Sequence, residues 1–327
     1  MELKENEILY KSIAQLLNNA KQKIVATINN TMVLTYFEIG KMIVEEEQKG
    51  SKNAQYGSFI IESLSNKLTS EFGKGFSKRN IELIRQFYLT YKNTKSMISQ
   101  SLSWTHYITL MRIANPDERN FYEIECVNNT WSVRELNRQL DSGLYERLAL
   151  SKDKNTILKL AKQGQIVEKP KDIIKDPYIL DFLNLPEHSH YNESDLEEEL
   201  INKLEHFLLE LGKGFSFVGR QVRFTFDEEH FRIDLVFYNR FLRCFVLIDL
   251  KIGKLKHQDI GQMQMYVNYY DRFVKMEEEN ATIGIILCKD KKDALVEITL
   301  PKNNTQIFAS RYLTYIPSKE DLIKLIR

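Results

Sequence analysis

The sequence predicts a helical N-terminal domain followed by an α/β domain with three layers. Two observations support this division. Residues 1 to about 150 carry apolar side chains at helical spacing, whereas from residue 215 the spacing becomes that of strands. The later elements follow the order α-β-β-β-α-β, which is typical of a sheet with helices on both faces. We therefore expect a helical domain over 1–150, a linker with short helices over 151–190 and an α/β domain over 191–327.

Several helices with short connections account for the N-terminal region. The first ends near Gly50, and a second ends at Gly73. Ser77 is placed to cap a third helix, and Ser132 with Glu135 three residues later forms a capping-box pattern. The apolar positions of the first helix are Ile13, Leu16, Leu17, Ala20, Ile24 and Ile28. These patterns predict one compact helical domain.

The α/β domain begins with one helix, "ESDLEEELINKLEHFLLELGKG". A hairpin follows, formed by "FSFVGRQVRFTF" and "FRIDLVFY" with "DEEH" between them. Alternation in its second strand places Ile233 and Leu235 on one face and Asp234 with Val236 on the other. "LRCFVLIDLK" is a third strand, apolar enough to be buried on both faces. A helix over 257–276 and the buried strand "ATIGIILC" complete the order.

Composition excludes several classes of protein. The 46 basic and 45 acidic residues leave a net charge of +1, so any nucleic-acid-binding surface must be local. Three dispersed cysteines argue against a disulfide framework or a zinc finger and suit a reducing compartment. The N-terminus has no apolar signal-peptide block, and no apolar stretch is long enough to span a membrane. We expect a soluble cytoplasmic protein.

Four charged side chains stand where the α/β domain should be apolar. Asp234 interrupts the second hairpin strand, and Asp249 and Lys251 share a face at the end of the third. If these strands are neighbours, the three groups meet at one end of the sheet. Glu197 points toward the core side of the preceding helix, because the positions three, seven and eleven residues further on are leucines.

Clustered carboxylates beside a lysine favour a site for a hard divalent cation. Mg²⁺ prefers oxygen ligands and keeps several waters. It lowers the pKa of a bound water and neutralises charge on a phosphoryl oxygen. The alternative is a structural ion pair between Asp234 and Lys251 at a strand end, with Asp249 in a turn. The convergence of all four charges favours the metal site.

The pattern resembles the PD-(D/E)XK nuclease superfamily, with Asp234 fifteen residues before Asp249 and Lys251 two residues after it. "LEEELINKLEHFLLELGKGFSFVGRQ", "IDLVFYNRFLRCFVLIDLKIG" and "GQMQMYVNYY" more closely resemble the YhcG-like proteins, whose nuclease-type domain follows a helical domain. "GFSKRNIELIRQFY" and "WSVRELNRQL" resemble that first domain, so the resemblance covers nearly the whole chain. Ile233 stands where many superfamily members have proline, which removes no metal ligand.

The resemblance implies a restriction-endonuclease-like fold with Mg²⁺ or Mn²⁺ bound by Asp234, Asp249 and the main-chain carbonyl of Leu250. It implies that Lys251 is the catalytic lysine and that Glu197 is an outer or occasional ligand. In some branches of the superfamily a Gln and a Tyr four residues apart on the next helix assist. Gln262 and Tyr266 have that spacing, and a polar stripe on an exposed helix is the alternative.

Basic residues supply the candidate contacts to phosphate. They are Arg220, Arg223, Lys254 and Lys256 near the site, and Lys78, Arg79 and Arg85 in the helix after Ser77. That helix could contact nucleic acid as a recognition helix does, or pack with its basic edge in water. The alternative interpretation of each of the seven is an ordinary surface charge in contact with water.

We expect a Mg²⁺-dependent nuclease that hydrolyses phosphodiester bonds of nucleic acid, with DNA favoured over RNA. Two alternatives stay open: a nucleic-acid- or protein-binding adaptor with negligible turnover that keeps the nuclease fold, and a structure-specific junction resolvase. The helical domain is expected to supply substrate binding or dimerisation, so a homodimer also stays open.

Overall fold

The computed structural model describes residues 2–49, 54–93, 102–149, 154–185, 192–318 and 321. The chain divides into two compact units, Met1–Arg138 and Gln139–Arg327. Residues 150–153 and 186–191, at the two predicted ends of the linker, lie outside the described residues. None of the described helices is both long and apolar enough to cross a membrane.

The first unit is helical, as predicted. Its helices are α1 (Glu2–Lys49), α2 (Ala54–Phe72), α3 (Lys78–Tyr91), α4 (Trp104–Leu110), α5 (Pro116–Asn129) and α6 (Val133–Asp141), the last of which contains the division. Both predicted caps are confirmed. The hydroxyl oxygen of Ser77 accepts the N–H of Asn80, and that of Ser132 accepts the N–H of Glu135. Each hydrogen bond satisfies a backbone donor that has no partner within its helix.

Helices α1 and α3 pack closely because a glycine lies at their crossing. A Cβ atom at Gly40 would lie 2.4 Å from the carbonyl oxygen of Ile84, so a larger residue would force the helices apart. Ile43, Ile61 and Ile81 form an apolar cluster beside this crossing. The core contacts of α1 therefore come from its C-terminal half.

The second unit has the predicted order of elements with additions at both ends. Its helices are α7 (Leu144–Ala149), α8 (Lys154–Gln163), α9 (Glu193–Asn202), α10 (Leu204–Leu211), α11 (His257–Phe273) and α12 (Asp293–Thr299). Its strands are β1 (Tyr178–Ile179), β2 (Phe215–Phe226), β3 (Glu229–Asn239), β4 (Cys244–Lys254), β5 (Ile283–Asp290) and β6 (Ile307–Leu313). The prediction of one continuous helix over 193–214 is wrong, because this segment forms two helices, α9 and α10. The backbone of Lys203 leaves the helical conformation between α9 and α10, and its ammonium group donates to the Leu183 carbonyl.

Among the described residues, six strands form one mixed sheet in the order β1-β6-β5-β4-β3-β2. The β2-β3-β4 part is antiparallel, and β4, β5, β6 and β1 run parallel. One apolar cluster packs α9 and α10 on one face, and a second packs α11 on the other. Ile248 lies in the first cluster and Leu247 in the second, so β4 is buried on both faces. The three-layer α/β fold is thus confirmed.

Part of the predicted linker packs within this unit. Tyr178 and Ile179 form the edge strand β1, which pairs with β6. Tyr178, Leu180 and Leu183 are buried in the cluster that contains α9 and α10.

The hairpin between β2 and β3 corrects two details of the prediction. Its turn is Asp227-Glu228 alone, both at positive φ, rather than the four residues "DEEH". Such a two-residue turn matches the twist of the strands. The predicted faces of β3 are also wrong, because Ile233 packs in the same cluster as Val236, opposite to Leu235. The alternation of faces changes at Asp234, where β3 leaves β4.

Candidate metal centre and active site

The site lies where strands β3 and β4 separate. Their pairing runs from Asn239 opposite Cys244 to Leu235 opposite Ile248, and no further. Beyond this point Oδ2 of Asp234 accepts the backbone N–H of Leu250 at 2.8 Å. Because the N–H and C=O of a strand residue project to the same edge, the Leu250 carbonyl faces the same gap.

Asp249 and Lys251 face the carboxyl group of Asp234. The two carboxyl groups are close enough to share a hydrogen bond. Nζ of Lys251 lies 2.9 Å from Oδ2 of Asp249 and 3.9 Å from a carboxylate oxygen of Glu193. That Oδ2 atom is buried, and the ammonium group of Lys251 is held against it as an ion pair. Two acids and one ammonium group therefore converge in a largely dehydrated place.

Burial and mutual repulsion control the ionisation of these acids. Burial, followed by the negative charge of Asp234, raises the pKa of Asp249 to about 7. Burial also raises the pKa of Asp234, against the opposing effects of the Leu250 N–H and the Lys251 charge. For Lys251, burial lowers the pKa, but Asp249 outweighs it and the net shift is upward. Lys251 is therefore cationic. Its single positive charge is not enough to compensate both carboxylates when both are ionised.

The sequence analysis missed Gln221. Its Nε2 donates to a carboxylate oxygen of Glu197 at 2.5 Å and to Oδ1 of Asp234 at 3.2 Å. Its backbone is left-handed, with φ of 47°. The two-residue turn places Gln221 directly across the hairpin from Asp234, in a register that counting back from the turn would have found. Gln221 thereby links Glu197, on α9, to Asp234.

Gln262 and Tyr266 are hydrogen-bonded to each other on α11. Nε2 of Gln262 donates to the Tyr266 hydroxyl at 2.5 Å, and that hydroxyl donates to the Arg232 carbonyl at 2.8 Å. Burial and the charge of Asp249 raise the pKa of Tyr266. Tyr266 is therefore a neutral side chain that ties α11 to β3 beside the carboxylates.

The candidate phosphate contacts differ in whether an acidic side chain already pairs with them. Arg220, Arg223 and Lys256 are exposed, and Lys254 lies 3.8 Å from Asp290 as an exposed ion pair. Screening by water makes such a pair weak.

In the first unit, Lys78 and Arg79 are exposed at the start of α3. Nε of Arg85 instead donates to both oxygens of Glu47, at 2.8 and 2.7 Å. The charge of Arg85 is thus already compensated.

The donor set fits a hard cation better than a transition metal. No group of three or more His, Cys, Asp or Glu side chains in the described part of the chain is arranged to hold a metal ion. Two carboxylates and a main-chain carbonyl are instead the sparse oxygen set that suits Mg²⁺, which keeps several waters. The buried Oδ2 of Asp249 is an acceptor with spare capacity for such an ion.

A cavity of about 980 Å³ lies elsewhere in the second unit, beside β6 and α12. Lys291 and Arg311 in its lining are already bound to Asp176, at 2.6 and 3.4 Å. Its charges are therefore largely compensated, and the separated strands are the better candidate site.

Comparison with known proteins agrees with both units. Residues 171–325 match the family model described as "YhcG PDDEXK nuclease domain", and residues 12–147 match the "DUF1016 N-terminal domain". A relative from Escherichia coli (strain K12), named "Putative nuclease YhcG", is 36% identical over 345 residues. The match covers 96% of this chain and 92% of that protein.

Solved structures give a weaker match. The chain is 14% identical to a repair endonuclease from Pyrococcus abyssi, with a TM-score of 0.26 over 38% of this chain and 48% of that one. It is also 14% identical to EndoMS in an EndoMS-dsDNA2 complex, with a TM-score of 0.27 over 41% and 51%. The chain thus spans about half of each, and likeness at this level carries no argument about the site.

Proposed function

The chain belongs to the YhcG family of PDDEXK nucleases, and we propose that it is a divalent-metal-dependent nuclease that hydrolyses phosphodiester bonds of DNA. The observation that carries the proposal is the convergence of Asp234, Asp249 and Lys251 at the separation of β3 and β4. Two buried acids beside one ammonium group leave an excess of negative charge, which is costly for the fold unless a metal cation joins them.

Asp234, Asp249 and the Leu250 carbonyl are the proposed metal ligands. Bound Mg²⁺ or Mn²⁺ would neutralise charge on a phosphoryl oxygen and lower the pKa of the attacking water. Asp234 also holds the Leu250 N–H, so one residue fixes both the side-chain and the main-chain ligand. This preorganises the site before substrate arrives.

Lys251 is the proposed catalytic lysine. Its ammonium group, held 2.9 Å from Asp249, can orient the attacking water and stabilise negative charge that develops on the phosphate. Glu197 is an outer ligand in this proposal, reached through Gln221. Gln262 and Tyr266 take an auxiliary role through the backbone of β3.

Substrate binding is shared in the proposal between two basic groups. Arg220, Arg223, Lys254 and Lys256 lie in the unit with the acids, and Lys78 and Arg79 are exposed on α3. Arg85 is the weaker candidate because Glu47 holds it. A cytoplasmic location completes the proposal, since Cys126, Cys244 and Cys288 are all buried and unpaired.

The test is a cleavage assay with the full chain in Mg²⁺, in Mn²⁺ and in EDTA. Linear, circular, single-stranded and branched DNA, and RNA, serve as substrates. We expect the wild-type protein to cleave DNA when a metal is present. Asp249→Asn should abolish this cleavage. The control Asp227→Asn, at the exposed hairpin turn, should cleave as the wild type does. Metal-dependent binding without cleavage would instead indicate the adaptor, and cleavage of branched DNA alone would indicate the resolvase. Cleavage by Asp249→Asn at the wild-type rate would refute the proposed site.

A further inference from the structure

The N-terminal half of α1 carries a long apolar stripe that is exposed. Eight large apolar side chains between residues 9 and 28 are each 48–71% exposed. They are Leu9, Tyr10, Ile13, Leu16, Leu17, Ile24, Val25 and Ile28. The sequence pattern that predicted a helix here was correct, yet these side chains are outside every apolar core formed by the described residues. Contiguous exposed apolar surface of this length marks an interaction site in most proteins.

This stripe cannot be covered by the core that holds the rest of α1. The buried positions of the C-terminal half are Val33, Tyr36, Ile43 and Val44. At 3.6 residues per turn they lie roughly 160° around the helix from the centre of the stripe. The helix therefore has two opposite apolar faces, one for its own domain and one for another partner.

The spacing of the stripe reads the same in both directions. Its central line is Leu9, Ile13, Leu17, Ala20, Ile24 and Ile28, with steps of 4, 4, 3, 4 and 4 residues. An isologous interface needs such a self-complementary pattern, because each residue i that contacts j is matched by j contacting i. The same steps form an 11-residue repeat, which is the period of nearly straight or slightly right-handed helix pairs.

The area of the stripe suits a stable dimer. At roughly 100 Å² of apolar surface for each half-exposed large side chain, seven of the eight present about 700 Å², because Val25 lies in line with Ile43 on the core face. A standard specific interface buries about 800 Å² per partner.

We propose that α1 pairs antiparallel with α1 of a second copy of this chain, about a two-fold axis between residues 18 and 19. Leu9 then lies opposite Ile28, Ile13 opposite Ile24, and Leu17 opposite Ala20 of the partner helix. The interface lies in the first unit and uses none of the acids of the second, so it is independent of the proposed nuclease function.

Charge favours the antiparallel arrangement. Residues 9–37 contain no acidic side chain, and their charges are Lys11, Lys21 and Lys23. A parallel pair in register would place each lysine beside its own copy. In the antiparallel pair Lys21 lies opposite Leu16, and the other two lie opposite alanines. Like charges are thereby separated.

Sedimentation velocity of the full chain tests the pairing. We expect twice the 38.6 kDa chain mass for the wild type. In Ile13→Glu/Ile24→Glu the dimer dissociation constant should rise at least about 100-fold, because four carboxylates enter an apolar seam. The control, Gln15→Glu/Asn18→Glu, adds the same charge to exposed positions outside the stripe and should remain dimeric. Circular dichroism should show equal helix content for all three.

Cysteine cross-linking tests the direction. In an oxidised mixture of Ile13→Cys and Ile24→Cys chains we expect the mixed disulfide, whereas either variant alone should cross-link poorly. A wild type that is monomeric at about 50 µM overturns the proposal, because the stripe then has another occupant. A dimer that survives Ile13→Glu/Ile24→Glu overturns it as well, and a strong Ile13→Cys homodimer would refute the antiparallel direction.

Discussion

Replacing Asp249 with asparagine should abolish cleavage and, in EDTA, raise the stability of the protein. Asparagine keeps the shape of the side chain but removes one of two acidic groups that face each other in a buried place. The same change removes a proposed metal ligand. Activity and metal-free stability should therefore move in opposite directions.

The size of the gain follows from the electrostatics of Asp249. Its pKa is raised from 3.8 to about 7, and each unit corresponds to about 1.4 kcal/mol, which gives roughly 4 kcal/mol at pH 8. The attraction of Lys251 lowers the pKa of Asp249 and is already included in this value. A gain of roughly 4 kcal/mol should raise Tm by about 8–16 °C for a unit of this size.

The pH dependence has a definite sign. The native pKa of Asp249 lies above its unfolded value, so its destabilising effect is absent below about pH 4 and grows as the pH rises through 7. The advantage of Asp249→Asn in EDTA should therefore be largest at pH 8, shrink at pH 5 and vanish near pH 4.

Thermal melts in EDTA and in Mg²⁺ provide the assay, with Asp227→Asn as the charge-matched control. Mg²⁺ at ten times its dissociation constant should stabilise the wild type by about 1.4 kcal/mol and should leave the variant unchanged. A lower Tm for Asp249→Asn in EDTA at pH 8 would refute the repulsion. Equal stabilisation of both proteins by Mg²⁺ would refute the ligand assignment.

Three further changes test single contacts. Lys251→Met should lower kcat by about 10²–10³-fold. It should not weaken Mg²⁺ binding, because the lysine is a cation that repels the metal ion. Weaker Mg²⁺ binding, measured by calorimetry, would contradict this role. Gln221→Ala removes the hydrogen bond to Asp234 and should lower activity or metal affinity by about 10–100-fold. A variant with the wild-type kcat/KM would show that Gln221 does not position Asp234. Burial raises the pKa of Glu123 from 4.5 to about 7, so Glu123→Gln should stabilise the protein by about 3 kcal/mol at pH 8 and by almost nothing near pH 4. Urea melts at both pH values test this, and an equal stability difference at the two pH values would contradict it.

The sequence determined the elements and much of the candidate site. Helical and strand periods gave the two kinds of domain, and the caps at Ser77 and Ser132 fall where local hydrogen bonding requires them. The unexpected charges at Asp234, Asp249 and Lys251 could be found from the sequence, because a buried charge departs visibly from an apolar pattern. All of these signals are local along the chain.

Only the tertiary structure decided how those charges are held and what the apolar faces contact. Gln221 reaches Asp234 and Glu197 because a two-residue turn fixes the register of β2 against β3, and a turn read as four residues shifts that pairing. Ile233 changes face because β3 leaves β4 at Asp234. The stripe on α1 is apolar at helical spacing whether it is buried or exposed, since periodicity fixes which side chains share a face but not what packs against them.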